Sequence, residues 1–227
     1  MRLILCYLIL LYSGNLFAQF AIINDNDGFA NIRSEARKGN NISDKLDNGF
    51  LVYGFQPEDN WIGIDYTKNN KDLGGYVYKD RIKFLSEFTK IPLSKETAAK
   101  VTFKKDNFNI VTESKKFDPK TAKITYSKDK SYIQKINGKE IWGADGNTPK
   151  IAYKSITVVM GDKTIEVPAS AFDDLFEPNF FSTQINYNKK EDILYICSSN
   201  SDGAGGYEVV WVIENGKYKE RKTARGF

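Results

Sequence analysis

The chain alternates short apolar runs with turn-rich polar clusters from Phe20 onward. The runs are rich in Val, Ile, Tyr and Phe, and Gly, Asn, Asp and Pro separate them. Such runs are typical of β-strands rather than helices. The pattern predicts strands at residues 21–23, 29–33, 50–55, 61–66, 75–78, 101–103, 108–112, 122–126, 132–136, 153–160, 164–167, 184–187, 192–197, 207–213 and 218–223. The expected fold class is all-β with minor α content.

Turn signals in the C-terminal part predict a β-rich meander or sandwich-like domain. Residues 137–138 and 215–216 are Asn-Gly pairs, which are typical of two-residue hairpin turns. The apolar residues at alternate positions of 207–213 share one face, which we predict to be core. One short helix is expected at 171–176, because a sequence resembling a capping box begins it and Pro178 follows it.

The first 18 residues have the pattern of a signal peptide. Arg2 supplies a charged start, residues 3–12 are mostly apolar, and Leu16-Phe17-Ala18 resembles a cleavage site. The apolar run is shorter than the ~20 residues that span a membrane, so we expect cleavage after Ala18, with a retained anchor as the alternative. This pattern predicts a secreted or periplasmic protein with no stable membrane insertion.

The mature chain is long enough for two domains. Pro92 interrupts the strand pattern, and we place the domain boundary near Ile91. Residues 19–91 are the predicted first domain and residues 92–227 the β-rich second domain, which begins with a linker at 92–99.

The composition narrows the possible chemistry. The chain has no histidine, and removal of the leader leaves Cys197 as its single cysteine. An imidazole base, His-ligated zinc and an intrachain disulfide are thereby excluded. The adjacent carboxylates at 173–174 and 191–192 keep a glycosidase-type reaction open, although neighbouring side chains diverge. We expect no enzymatic activity, no cofactor and no metal site.

Positive charge is concentrated in residues 95–139, which contain 12 lysines against 5 acidic residues. This segment could attract anionic glycans, lipid head groups or an acidic partner. Solvated strand faces are the alternative, because lysine lacks the bidentate geometry of arginine. Nucleic acid is not expected as a partner, since the formal net charge of the whole chain is only +4.

Four motifs follow one another between Phe20 and Phe84. They are Asn-Asp-Gly-Phe-Ala-Asn-Ile-Arg at 26–33, Leu46-Asp47-Asn48-Gly49, Asn60-Trp61 and Gly74-Gly75-Tyr76-Val77. Their order resembles that of bacterial SH3-like domains. The resemblance implies a small barrel that binds cell-wall peptide or glycan, or an envelope protein, without catalysing a reaction. Residues 34–36 depart from the Ser-Gly-Pro of that family, so its ligand preference is not carried over.

The predicted barrel offers aromatic side chains for a ligand groove. Tyr and Trp combine an apolar face with a polar edge that suits peptide or sugar. Strand alternation places about half of the rings in the core. The spacing favours Tyr66 and Tyr78 as exposed rings, and Trp61 is the Trp of the family pattern. We therefore take Trp61, Tyr66 and Tyr78 as candidate ligand-binding residues.

A glycine-rich loop, 199–207, joins two predicted strands. An ordinary hairpin loop is one interpretation and a recognition loop is the other, with Ser201, Asp202, Gly205 and Tyr207 as candidates. The loop is similar to the Ser-Gly-x-x-Tyr loop of periplasmic lysozyme inhibitors, with five residues here between Ser201 and Tyr207 instead of three. That resemblance implies an alternative function, in which the loop of an inhibitor or immunity protein blocks a hydrolase.

Overall fold

The computed structural model describes residues 19–201 and 203–225. The predicted signal peptide and the candidate residue Asp202 lie outside the described residues. Strands form 58% of the structure and no described helix reaches seven residues, which confirms the all-β prediction. The chain divides into two compact units between Lys83 and Phe84. Over these same ranges, no helix has the length and apolar character needed to cross a membrane.

The first unit is built on a seven-stranded sheet that curls into a half-barrel. Its strands are β1 (Gln19–Ile23), β2 (Phe29–Arg33), β3 (Ile42–Asp47), β4 (Leu51–Gly54), β5 (Trp61–Lys68), β6 (Lys71–Tyr78) and β7 (Ile82–Phe84). Their order across the sheet is β3-β2-β6-β5-β4-β1-β7. The curl gives this unit the barrel-like character that the sequence predicts, while its kinship with SH3-like domains stays a prediction.

Alternate side chains of the strands fill the inside of the half-barrel. In β5, Ile62, Ile64 and Tyr66 are buried, whereas Trp61, the first residue of the strand, is half-buried. Val77 of β6 is fully buried, and its neighbours along the strand are only half-buried. Because successive side chains of a strand point to opposite faces, the other face of β5 and β6 is left at the surface.

The second unit contains three sheets. Its strands are β8 (Thr89–Ile91), β9 (Leu93–Thr97), β10 (Lys100–Lys105), β11 (Phe108–Lys116), β12 (Ile124–Tyr126), β13 (Ile133–Ile136), β14 (Lys139–Glu140), β15 (Ile151–Met160), β16 (Lys163–Glu166), β17 (Gln184–Asn188), β18 (Ile193–Asn200), β19 (Tyr207–Glu214) and β20 (Lys217–Arg225). Two sheets have five strands each, in the orders β16-β15-β11-β10-β9 and β20-β19-β18-β17-β8. The third, β12-β13-β14, is called the small sheet below.

The two larger sheets enclose a shared hydrophobic core, so the second unit is sandwich-like. One sheet contributes residues such as Phe103, Ile110 and Ile156, and the other contributes Leu194 and Ile196. The alternating apolar residues of 207–213 that were predicted as core are each at most 1% exposed, which confirms that prediction. The small sheet buries its own cluster, in which Ile133 and Ile136 lie with Phe176.

The structure also shows how the segments around the predicted boundary pair. The units divide before Ile91 because β8 pairs with β17 of the second unit. Residues 92–99, expected as a linker, contain β9, which pairs with β10. The sequence predicts a short helix at residues 171–176. The structure instead has a 3-10 turn at Ala169–Ala171, and residues 172–176 are irregular backbone.

Glu113 links β10 and β11 of the lysine-rich segment 95–139 to β15, which lies beyond it. It lies opposite Lys100 across β10 and β11 and accepts hydrogen bonds from the ammonium groups of Lys100, at 2.8 Å, and of Lys154 on β15, at 2.9 Å. The hydrogen bond from Lys100, followed by that from Lys154, lowers the pKa of Glu113 to about 2. One carboxylate thus binds two lysines, Lys100 within the lysine-rich segment and Lys154 beyond it.

We predict that this cluster makes stability depend on pH in the acid range. Because the folded-state pKa of Glu113 is lowered from 4.5 to about 2, its stabilisation is complete above about pH 4.5 and is lost as the pH falls toward 2. Glu113→Gln should therefore reduce the loss of stability between these two pH values, measured as the urea midpoint. Glu58→Gln, at an exposed turn position, is the control and should retain the wild-type slope. Equal slopes for all three proteins would contradict the prediction.

Candidate functional site

Trp61 and Tyr78 lie side by side on the outer face of the half-barrel. They are cross-strand partners in the β5–β6 pairing, and both are half-buried. Their ring centroids are 5.3 Å apart and the rings meet at 86°, an edge-to-face arrangement that aromatic pairs favour. The pair faces away from Ile62 and Val77, because those neighbours along the two strands point into the core.

Two more rings extend this surface along the sheet. Tyr76 is opposite Gly63 in the β5–β6 pairing, and Phe55 follows β4. A Cβ atom at Gly63 would lie 3.5 Å from Phe55 Cδ2 and 3.8 Å from Tyr76 Cε1, so both rings border the position that lacks a side chain. Phe55, Trp61, Tyr76 and Tyr78, all half-buried, are called the aromatic face below.

Cationic groups flank the aromatic face. The guanidinium carbon of Arg33 lies 5.9 Å from the Trp61 ring centroid, and the ammonium of exposed Lys38 lies 5.7 Å from that of Tyr78. Arg33 is held in place, since its Nη1 donates hydrogen bonds to Gly39 O at 2.8 Å and to Asn41 Oδ1 at 2.7 Å. These positions are within cation–π range, and they place positive charge beside the rings.

The expectation that Tyr66 is exposed is wrong. Tyr66 is 6% exposed, and its hydroxyl donates a hydrogen bond to Asp44 Oδ2 at 3.0 Å. Burial, followed by the bond to the Asp44 carboxylate, raises the pKa of Tyr66 to about 12. The reason is strand parity: Tyr66 lies five positions after Trp61, an odd number, so the two side chains point to opposite faces. The structure brings together Trp61 and Tyr78 and excludes Tyr66.

A cleft of about 510 Å³ opens on the second unit. One side is formed by the small sheet and the segment that follows it, and the other by the turn at Gly203–Gly206 and the end of β20. The side chains of interest along its walls are Tyr132, Lys135, Glu140, Trp142, Asp145 and Arg225. The guanidinium carbon of Arg225 lies 5.9 Å from the Trp142 ring centroid.

Described residues of the predicted recognition loop, Gly203–Gly206, line this cleft, whereas the candidate Tyr207 is not exposed. Tyr207 is 1% exposed, and its hydroxyl donates to Phe176 O at 2.9 Å, because Tyr207 is the first inward residue of β19. Ser201 Oγ donates to Gly143 O at 2.9 Å, and Gly205 is buried against Asp145. The idea that Tyr207 reaches into a partner's groove is therefore wrong for the described conformation.

Two further groups are candidates for chemistry on sequence grounds, the Cys197 thiol and the adjacent carboxylates of Asp173 and Asp174. Burial raises the pKa of the Cys197 thiol to about 12, which disfavours the nucleophilic thiolate at neutral pH. Asp173 pairs with Lys139, whereas its neighbour Asp174 pairs with Arg221. The divergence expected for adjacent carboxylates is thus visible at this pair.

Sequence reasoning missed Trp142, Arg225, Arg33 and Lys38. Arg33 is brought to the aromatic face by its pairing with Tyr76 across β2 and β6, a contact that local sequence patterns do not show. The walls of the cleft come from distant parts of the chain and have no local signal either. In residues 19–201 and 203–225, no three His, Cys, Asp or Glu residues form a group that could hold a metal ion.

Comparisons of the chain with family models, with curated proteins and with solved structures found no match.

Gly143 shapes the floor of the cleft, and replacing it should disturb both fold and cleft. Its φ is +94°, and an added Cβ would overlap Phe176 O and lie 2.9 Å from Tyr207 Cε1. We expect Gly143→Ala to lower the free energy of unfolding by about 2 to 4 kcal/mol, from backbone strain and overpacking together.

Gly138→Ala is the matched control for this prediction. Gly138 has a φ of +81° but open space around the added Cβ, so the change should cost only about 1 kcal/mol of backbone strain. Urea unfolding of the wild type and both variants measures the difference. Equal losses of unfolding free energy in the two variants would show that the overlap with Phe176 O adds no cost to the backbone strain.

Proposed function

We propose that the protein is a secreted or periplasmic binding protein without enzymatic activity, and that its first unit is an SH3-like barrel that recognises envelope material. The observation that carries the proposal is the half-buried Trp61–Tyr78 pair with Arg33 and Lys38 beside it. The four SH3-like motifs and the predicted leader support the same function. Cell-wall peptide or glycan is the expected target, and an envelope protein is the other.

The chemistry of the aromatic face suits a wall peptide. Flat rings with polar edges can pack against the apolar parts of a peptide or sugar while hydrogen-bonding at their rims. Arg33 and Lys38 would attract carboxylates, which peptide side chains and termini carry. Trp61 and Tyr78 are half-buried and pack edge to face, so they have less side-chain entropy to lose on binding than free rings would.

The alternative, a hydrolase inhibitor acting through 201–207, has weaker support. Tyr207 is a core residue and Gly205 is buried, which leaves Gly203 and Ala204 as the exposed residues among the described part of that loop. Two small residues offer little surface to fill an enzyme's groove. An inhibition assay with purified wall hydrolases on a soluble substrate separates this alternative from binding to the wall.

Cosedimentation with purified sacculi tests the proposal. The chain beginning at Gln19 should pellet with sacculi, and Trp61→Ala or Tyr78→Ala should weaken retention about tenfold, the loss expected for a central interface ring. Lys38→Glu, an exposed change, should weaken retention without affecting folding. Phe181→Ala removes a ring that is 80% exposed on the second unit, and it should bind like the wild type.

Unfolding curves for each variant separate loss of binding from loss of structure. A folded wild type that stays in the supernatant would count against the wall as target. Retention that is unchanged by all three substitutions in the first unit would remove the aromatic face from the function.

A further inference from the structure

We propose that the cleft of the second unit is a separate binding site for an uncharged oligosaccharide, with Trp142 and Arg225 as its principal contacts. The inference uses only residues of the second unit. It stands whether or not the aromatic face binds the cell wall, because the two surfaces share no residue.

Trp142 is a rigid aromatic wall for this cleft. Its backbone N–H donates to Asp174 O at 3.0 Å, and its carbonyl accepts from the Phe176 N–H at 3.0 Å. Its ring lies 6.1 Å from the ring of buried Tyr207, while the residue as a whole stays half-buried and lines the cleft. A half-buried tryptophan held on its backbone and on one side of its ring presents a fixed apolar surface to a ligand.

The charges around the cleft balance. Its lining contains two cations, Lys135 and Arg225, and two carboxylates, Glu140 and Asp145, and Gln134 adds an amide. An anionic or cationic ligand would be attracted by one pair and repelled by the other. A sugar hydroxyl both donates and accepts hydrogen bonds, so a neutral polyol can use all of these groups at once. The charge pattern therefore favours an uncharged ligand.

The size and the backbone of the cleft favour a glycan over a peptide. Its volume of about 510 Å³ is within the range of small-molecule sites. Peptides often bind by adding a strand to an exposed edge, but β14, the edge of the small sheet in the cleft, is only two residues long. At Gly203 an added Cβ would meet nothing within 4 Å, so this exposed part of the wall lets a sugar ring approach the backbone.

The three tryptophans of the chain make the test specific. Trp61 reports on the aromatic face and Trp142 on the cleft. Trp211 is a core control, 1% exposed, whose indole N–H donates to Ala171 O at 2.8 Å. The indole N–H resonances of the ¹⁵N-labelled chain are followed by NMR during titration with tetrasaccharides of N-acetylglucosamine, cellulose, amylose and mannan. At least one of these sugars should shift the Trp142 resonance in a saturable manner and leave Trp211 unmoved.

Three variants assign the effect to the cleft. Arg225→Ala removes the cation beside Trp142, and Ala204→Tyr places a ring at an exposed position of the cleft wall. Each should weaken binding of the active sugar about tenfold or more. Lys217→Ala, at the other end of β20, is the matched control for Arg225→Ala and should leave binding unchanged. All three changes are at exposed residues and are expected to retain the fold, which an unchanged Trp211 resonance checks.

Three results would overturn the proposal. The first is that none of the four sugars shifts Trp142. The second is that a sugar shifts only Trp61, which would assign glycan binding to the aromatic face. The third is that a pool of random decapeptides shifts Trp142 when no sugar does, which would make the cleft a peptide site.

Discussion

The second unit depends on a buried stretch of irregular backbone, Ala171–Phe176, of which only Asp173 is exposed and whose buried polar groups must find partners away from water. Side chains of the last two strands supply them. Trp211 Nε1 donates to Ala171 O, Tyr207 OH to Phe176 O, and Arg221 binds both carboxylate oxygens of Asp174. Side chains of β19 and β20 thus supply hydrogen bonds to the polar groups of the buried stretch, in addition to their part in the core or the sheet surface.

The same stretch positions the cleft. Its Asp174 O and Phe176 N bond the backbone of Trp142, and its Phe176 side chain enters the cluster of the small sheet. The small sheet is thereby held beside the sandwich with a gap between them. The aromatic face of the first unit has a simpler origin, since strand alternation and the β5–β6 register are enough to place Trp61 beside Tyr78. One surface follows from local pairing and the other from tertiary packing.

This difference explains what could be predicted from the sequence. Apolar runs and Asn-Gly turns locate most strands, and alternation in 207–213 identifies its core face, because these signals are local. Strand parity is also local, and it places Trp61 and Tyr66 on opposite faces of β5, so the two rings could not share one exposed surface. The walls of the cleft come from residues 132–146, 203–206 and 225, and no local pattern connects them. The burial of Tyr207 likewise depends on a carbonyl 31 residues earlier.

We infer that the cleft is preformed, because the backbone of its Trp142 wall is hydrogen-bonded to the buried stretch. Amide hydrogen exchange at Trp142 and Phe176 tests it directly, since these two N–H groups make the connecting bonds. Both amides should exchange as slowly as those of buried Val209 and Trp211 in the interior strand β19, where exchange is expected to need global unfolding. Exchange at the rates of unstructured peptide, with β19 still protected, would contradict it.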